Sequence, residues 1–292
     1  MTYRLLNCFW KLLSYTPLCV MYVLSDGLFY PLYHLVRYRR KVVRKNLVES
    51  FPEKSLPEII KIEKRFYRFF IDLIFETCKM ATMSSKTMRK RMKFNNIEGI
   101  NAVFEQGKSI AAYMGHCGNW EWVTSLPLHL NQGIVAGQIY QKLRNESVDR
   151  LLFRNRERLG AVCIEMKETL RRINELVNSG KMSIIAYITD QSPRKEYIQH
   201  YVPFLHHHTP ALIGTEKLVK RYDFEAWYLD VKRVKRGYYE AEFVRLHDSP
   251  QSLPDFELTD MYYRHLEQII IRQPELYLWS HKRFKYAQKL DE

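Results

Sequence analysis

At 292 residues, with 46% apolar and 27% charged, the chain can bury one large core or two modest ones, and its composition is not that of a disordered protein. Its formal charge of +14 calls for an anionic partner: nucleic acid, a lipid surface or an acidic protein. Five scattered cysteines with no C-x-x-C argue against a disulfide scaffold or structural zinc, and for a reducing compartment.

The chain starts with its most apolar stretch. Between Leu12 and Val36 the only formal charge is Asp26. As one helix this stretch would reach about 37 Å, enough to cross a bilayer core. Pro17, Asp26 and Pro31 weaken a straight span, so a helix that dips into one leaflet is the alternative. A cleaved signal peptide is disfavoured, because no small-residue cleavage site follows and a basic run comes directly after. That run, "RYRRKVVRK", holds Arg37, Arg39, Arg40, Lys41, Arg44 and Lys45. It reads either as one face of a solvated helix or as a contact with anionic headgroups. The charge asymmetry predicts residues 1–36 as an anchor and residues 37–292 as a cytoplasmic domain.

Beyond the anchor, Ile59, Ile62, Phe66, Phe69, Phe70 and Leu73 form an apolar stripe that predicts one core-facing helix over residues 55–82. Residues 84–94 read as a basic connector. A helix near 98–106 should end at Gly107. "SIAAYM" follows as a buried strand, then "GHCGN", then a helix from Trp120. "IVAGQIY", "AVCIEM" and "MSIIAYIT" read as three more strands, separated by helices over 145–158 and 167–179. "FEAWYLDVKRV" and "YYEAEFVRL" suggest a hairpin, and a last helix should stop near Gln273, before Pro274. This alternation predicts an α/β layer fold with a largely parallel sheet. No phosphate-loop or dinucleotide glycine pattern is present.

The chemistry concentrates in "AYMGHCGNWEW", residues 112–122. His116 falls where a buried strand turns into the next element, and ligands of open α/β sheets bind at the carboxyl ends of strands. Gly115 and Gly118 permit a tight turn and close approach of a substrate. Glu121 follows five residues after His116. A carboxylate there can fix one imidazole nitrogen as N–H and leave the other as a base. The same residues read equally well as a structural histidine with a helix-capping glutamate.

The block "HCGNWEW" resembles the "H-(F/Y)-G-N-W-E" signature of the lipid A late acyltransferases, the lauroyl and myristoyl transferases of the lysophospholipid-acyltransferase superfamily. Four further blocks are similar and stand in the same order. They are "YRRKVVRKNLVESFP" (38–52), "IYQKLRNESVDRLLFRNRERLG" (139–160), "YITDQSP" (187–193) and "PELYLWSHKRFK" (274–285). The resemblance covers residues 38–285. It implies a glycerolipid-acyltransferase α/β fold with a membrane-docked N-terminal helix, at the bacterial inner membrane with the catalytic domain on its cytoplasmic face. It also implies transfer of a fatty acyl chain from acyl carrier protein to a hydroxyl of a phosphorylated glycolipid, with no metal or nucleotide cofactor. His116 would be the general base and Glu121 its orienting partner. Gly118, Asn119, Arg156, Asp190, Gln191 and Arg283 would be substrate-facing positions. Arg156 or backbone N–H groups near Gly118 would meet the oxyanion, and Arg283 a phosphate. Basic residues such as Lys142, Arg144 and Arg154 are placed to meet the acidic carrier protein.

Cys117 stands where Phe or Tyr is usual, and "RKEYIQHYVPFLHHHTPA" replaces a glycine-containing segment after "DQSP". The acceptor is therefore less defined than the reaction. Two other readings remain: a same-fold acyltransferase acting on an aminolipid or lysophospholipid, and a non-catalytic basic membrane-surface protein. Cys117 reads as a packing residue before a nucleophile. The three histidines 206–208 read as a polar loop before a metal site, because consecutive side chains do not converge easily on one ion.

Overall fold

The computed structural model describes residues 3–288. The apolar N-terminal stretch is two helices: α1 (Tyr3–Tyr15) and α2 (Leu18–Tyr30). The break falls at Thr16–Pro17, where the proline lacks an N–H and biases the residue before it away from helix. A wider π-helical turn carries α2 on to Val36. Together Leu18–Val36 form a helical stretch long and apolar enough to cross a membrane. The basic run supplies α3 (Arg40–Ser50), and the predicted core helix is α4 (Leu56–Met80), opened by a capping box between Ser55 and Glu58.

The stretch read as a connector instead contains α5 (Ser85–Arg91) and the edge strand β1 (Met92–Asn95). The strand alternates buried and exposed residues, a pattern the flanking lysines and arginines obscure in the sequence. Then come α6 (Ile97–Glu105), β2 (Ile110–Met114), β3 (Val135–Tyr140), α7 (Glu146–Glu157), β4 (Val162–Glu165), α8 (Thr169–Asn178) and β5 (Ser183–Ile188). Trp122–His129 is a 3₁₀ stretch holding Pro127, so the helix expected from Trp120 does not form as an α-helix. The short hairpin β6 (Tyr201–Phe204) and β7 (His207–Pro210) and the helix α9 (Gly214–Tyr222) went unread in the sequence. The expected long hairpin is β8 (Glu225–Lys235) and β9 (Tyr238–Arg245), and the last helix is α10 (Glu257–Arg272).

Seven strands form one sheet in the order β1-β9-β8-β2-β5-β3-β4. Every neighbouring pair is parallel except the β8–β9 hairpin. All five residues of β2 are buried, as its uninterrupted apolar run requires of a central parallel strand. α10 packs over this centre, with Tyr262 against Tyr113 and Tyr228 at ring separations of 5.4 and 5.9 Å.

α2 is docked on the rest of the protein through polar as well as apolar groups. Met21 and Phe29 are buried, while Val23, Leu35 and Val36 stay exposed. Ser25 donates to Asp72 at 2.7 Å and Tyr22 to Glu76 at 2.8 Å, both carboxylates lying on α4. From the β8–β9 turn, Arg236 spans Asp26 of α2 and Asp72 of α4 at 2.9 and 2.6 Å. Asp72 is 3% exposed, so removing its cation leaves a buried charge uncompensated. Arg236→Ala should lower stability by about 2 kcal/mol, below the range for fully buried pairs because Arg236 itself is partly in water. Urea unfolding in detergent measures it, and Arg236→Lys should recover part of the loss.

Candidate active site

β2 and β5 run side by side in parallel, with Met114 opposite Ile188. His116 and Asp190 each lie two residues past that pair, so the register alone delivers both to the same carboxyl end of the sheet. The imidazole Nδ1 lies 2.7 Å from Asp190 Oδ1, and the His116 backbone N–H donates to Asp190 Oδ2 at 3.0 Å. Asp190 is 2% exposed. Burial alone would push its carboxyl up. The charge of His116, the two hydrogen bonds from that residue and the field of Arg283 outweigh burial and hold it below the ordinary carboxylate value. A carboxylate can only accept, so Nδ1 carries a proton, and in the neutral form of the ring the lone pair is on Nε2. Gln191 Nε2 approaches that lone pair at 3.5 Å, and Trp120 sets its ring edge-on to the imidazole at 5.2 Å.

The turn that carries His116 is held on several sides. Tyr262 donates to Met114 O and Tyr263 to Thr189 O, so α10 pins the ends of both strands. The C-terminal segment lies alongside the turn: Gly118 N–H donates to Leu276 O, and Leu278 N–H to His116 O, each at 3.1 Å. Gly118 has φ +60, and a Cβ there would come within 2.8 Å of Val231. At Gly115 a Cβ would run into Leu266. Gly118 is therefore required by its backbone conformation, whereas at Gly115 the constraint is packing against the Leu266 side chain.

Several expected roles change. Among the described residues Glu121 makes no hydrogen bond to His116. Its two carboxylate oxygens are taken by Arg156, through Nε at 2.8 Å and Nη2 at 2.6 Å. The start of the 3₁₀ stretch turns Glu121 toward α7, and the aspartate from β5 occupies the place beside the imidazole. Asn119, expected to face substrate, is fully buried: its amide donates to Glu76 at 2.7 Å and its oxygen accepts from Trp122 N–H. Gly118 N–H is engaged by Leu276 and is not free for an oxyanion. Arg283 is 1% exposed, bonded to Thr209 and Tyr263, so it does not reach a lipid phosphate. Gln191 beside the imidazole and Arg156 beside Glu121 are both partly exposed.

Cys117 is 4% exposed, and burial pushes its thiol well above the ordinary value, the reverse of an activated nucleophile. The three histidines diverge: His207 stacks on Phe284 at 3.7 Å, His208 meets Gln288, and His206 sits at the β6–β7 turn. His281 lies in the C-terminal segment beside the site, and burial lowers its imidazole to about 4.

Glu76 went unread in the sequence. It is fully buried and accepts from Tyr22, Tyr239 and Asn119, at 2.8, 2.8 and 2.7 Å. Its position was visible, because it continues the spacing of Phe69 and Leu73 along the apolar stripe of α4. An acid on a buried face marks a polar contact that the core must satisfy.

A histidine paired with a buried aspartate at the carboxyl ends of two adjacent parallel strands lies where α/β folds place their ligand sites. A sequence model of the bacterial lipid A biosynthesis acyltransferases matches residues 1–286. The chain belongs to that family and is an acyltransferase. It is similar to a lipid A biosynthesis acyltransferase of Haemophilus influenzae, 23% identical over 285 residues that cover 93% of this chain and 83% of the relative.

Burial raises the Glu76 carboxyl to about 7, outweighing the three hydrogen bonds that favour its charged form. The folded protein therefore holds this proton more tightly than the unfolded chain does. Its stabilising contribution is complete below the ordinary value of 4.5 and is lost as pH rises through about 7. Glu76→Gln should flatten this part of the pH dependence of the melting temperature. Parallel pH series for the two proteins between those limits would reveal the difference.

Proposed function

We propose that the protein transfers a fatty acyl chain from acyl carrier protein thioester to a hydroxyl of a lipid A precursor, by direct attack with His116 as general base. The observation that carries this reading is the His116–Asp190 pair at the strand ends, with Nε2 open to the site. Nε2 takes the proton of the acceptor hydroxyl as its oxygen attacks the thioester carbonyl. The tetrahedral intermediate collapses with cleavage of the C–S bond, and the imidazolium returns the proton to the departing thiolate. Asp190 orients the ring and stabilises its cation. Gln191 holds Nε2 until the hydroxyl replaces it. Arg156, whose Nη1 has no hydrogen bond among the described residues, supports a role toward the oxyanion, with Glu121 fixing its fork.

Residues 1–36 are the proposed membrane anchor, with the exposed apolar side chains Leu5, Phe9, Leu12, Val23, Leu35 and Val36 as the lipid-facing surface. The remainder acts at the cytoplasmic face of the inner membrane, where the carrier protein is available. Lipid analysis of a strain lacking the protein tests the acceptor. Loss of one acyl chain from lipid A is expected, and loss from another lipid class would redirect the assignment.

His116→Ala should abolish transfer in a folded protein, since general-base assistance is worth roughly 100- to 10,000-fold. Asp190→Asn should lower kcat by about the same order, because an amide can present the wrong tautomer to the ring. Glu121→Gln should cost less than either. A larger loss for Glu121→Gln than for Asp190→Asn, measured with purified enzyme and acyl carrier protein donor, would return the orienting role to Glu121. Cys117→Ser should retain activity, and mass spectrometry should find no acyl group on Cys117 during turnover.

A further inference from the structure

The basic run does more than contribute charge. Arg37, Arg39, Arg40, Lys41, Arg44 and Lys45 line an open groove of about 890 Å³ along α3 and the turn before it, together with Val42, Val48 and one acid, Glu49. Four of these side chains are held in place without being used up. Arg37 gives its Nε to His34 O at 3.1 Å, and Arg39 gives one Nη to Ser280 O at 2.9 Å. Arg40 and Arg44 each give only their Nε to Glu63, which is fully buried beneath them. Among the hydrogen bonds of the described residues, the other guanidinium nitrogens of all four are unengaged. Fixing each head by one nitrogen leaves forks ready for an anion at reduced entropic cost.

The groove is also tied to the catalytic turn. Asn46 of α3 donates to the carbonyls of Trp279 and His281, both at 2.9 Å, and Arg39 takes that of Ser280 between them. The same segment gives Leu278 N–H to His116 O. A group seated in the groove is thereby fixed relative to the base through a few hydrogen bonds. A patch serving only general attraction to a bilayer needs neither the buried counter-carboxylate nor this tether.

We infer that the α3 groove is a subsite for a phosphate of the glycolipid acceptor, which positions the acceptor's hydroxyl against His116. This rests on the acceptor assigned above. The occupant is a phosphate monoester carried on a lipid: the forks match its oxygens, and the groove opens next to the apolar end of the N-terminal helices.

Arg37 and Lys41 can be neutralised without uncovering Glu63 or releasing Ser280, so the test is Arg37→Gln/Lys41→Gln in the full-length enzyme. Binding is read in detergent micelles on a His116→Ala background, which removes turnover from the measurement. The probes are the phosphorylated lipid A precursor and the same lipid after phosphatase treatment. Affinity for the phosphorylated lipid should fall about ten-fold, while the dephosphorylated lipid should bind both proteins within about two-fold of each other. The charge-conserving Arg37→Lys/Lys41→Arg variant should keep most of the affinity. Equal losses for both lipids would overturn the subsite. So would a loss of the same size in binding to vesicles of anionic phospholipid, which would make the groove a general membrane contact. A rise in KM for acyl carrier protein with acceptor binding unchanged would assign the groove to the donor and likewise overturn it. If the enzyme with His116 intact fails to acylate the precursor, the acceptor assignment itself fails, whereas a groove result against the proposal in an enzyme that does acylate it leaves that assignment standing.

Discussion

The buried carboxylate of Glu76 is the point on which the arrangement of the protein turns. It lies on the long helix α4 and accepts one hydrogen bond from α2, one from β9 and one from the turn after His116. Its backbone carbonyl takes the Trp122 indole from the same turn. The apolar N-terminal helix, the sheet and the His116 turn thus share a single acceptor, in a place where an unsatisfied donor would be costly. Asp72, one helical turn earlier, repeats the device with Ser25 and Arg236. The polar interior of α4 decides which elements can meet there, and the surrounding apolar packing fills in around it.

The His116–Asp190 pair itself depends on strand register. His116 comes from one strand end and Asp190 from the neighbouring one, 74 residues away in the chain. A one-residue slip between β2 and β5 would separate them and also reverse the faces of every side chain on the strand. The tyrosines of α10 bond to the backbone just before each of the two residues and so oppose such a slip. Arg283 reaches the same tyrosine layer from the C-terminal segment, which explains why an arginine is tolerated at 1% exposure. Its charge acts on Asp190 through the protein interior.

Most of the sheet was legible in the sequence because its central strands are short apolar runs bounded by glycines and polar turns. The segments that escaped are those whose periodicity is masked. β1 lies among basic residues, and β6, β7 and α9 follow one another with hardly any apolar repeat. At the candidate site, the place of His116 at a strand end was readable and its pairing with Asp190 was not. Glu121 is near His116 in sequence, and both that proximity and the family-like block pointed to it as the partner. Asp190 stands two residues past its strand, as His116 does past its own, but that equal offset acquires meaning only once the two strands are known to be neighbours. Arg283 and Asn119 sit in blocks full of functional residue types, and nothing in residue type separates a buried support from a ligand contact.

The polar side of α2 has a consequence for how replaceable this helix is. Tyr22, Ser25 and Asp26 close hydrogen bonds that begin in α4 and the β8–β9 turn. An apolar segment of equal length from another protein would match its hydropathy and still leave Asp72, Glu76 and Arg236 without these partners. The helix is thus a structural part of the enzyme as well as its most apolar one. Deleting it alone would leave the carboxylates and the arginine it covers without these partners, so they would have to be redesigned along with the cut.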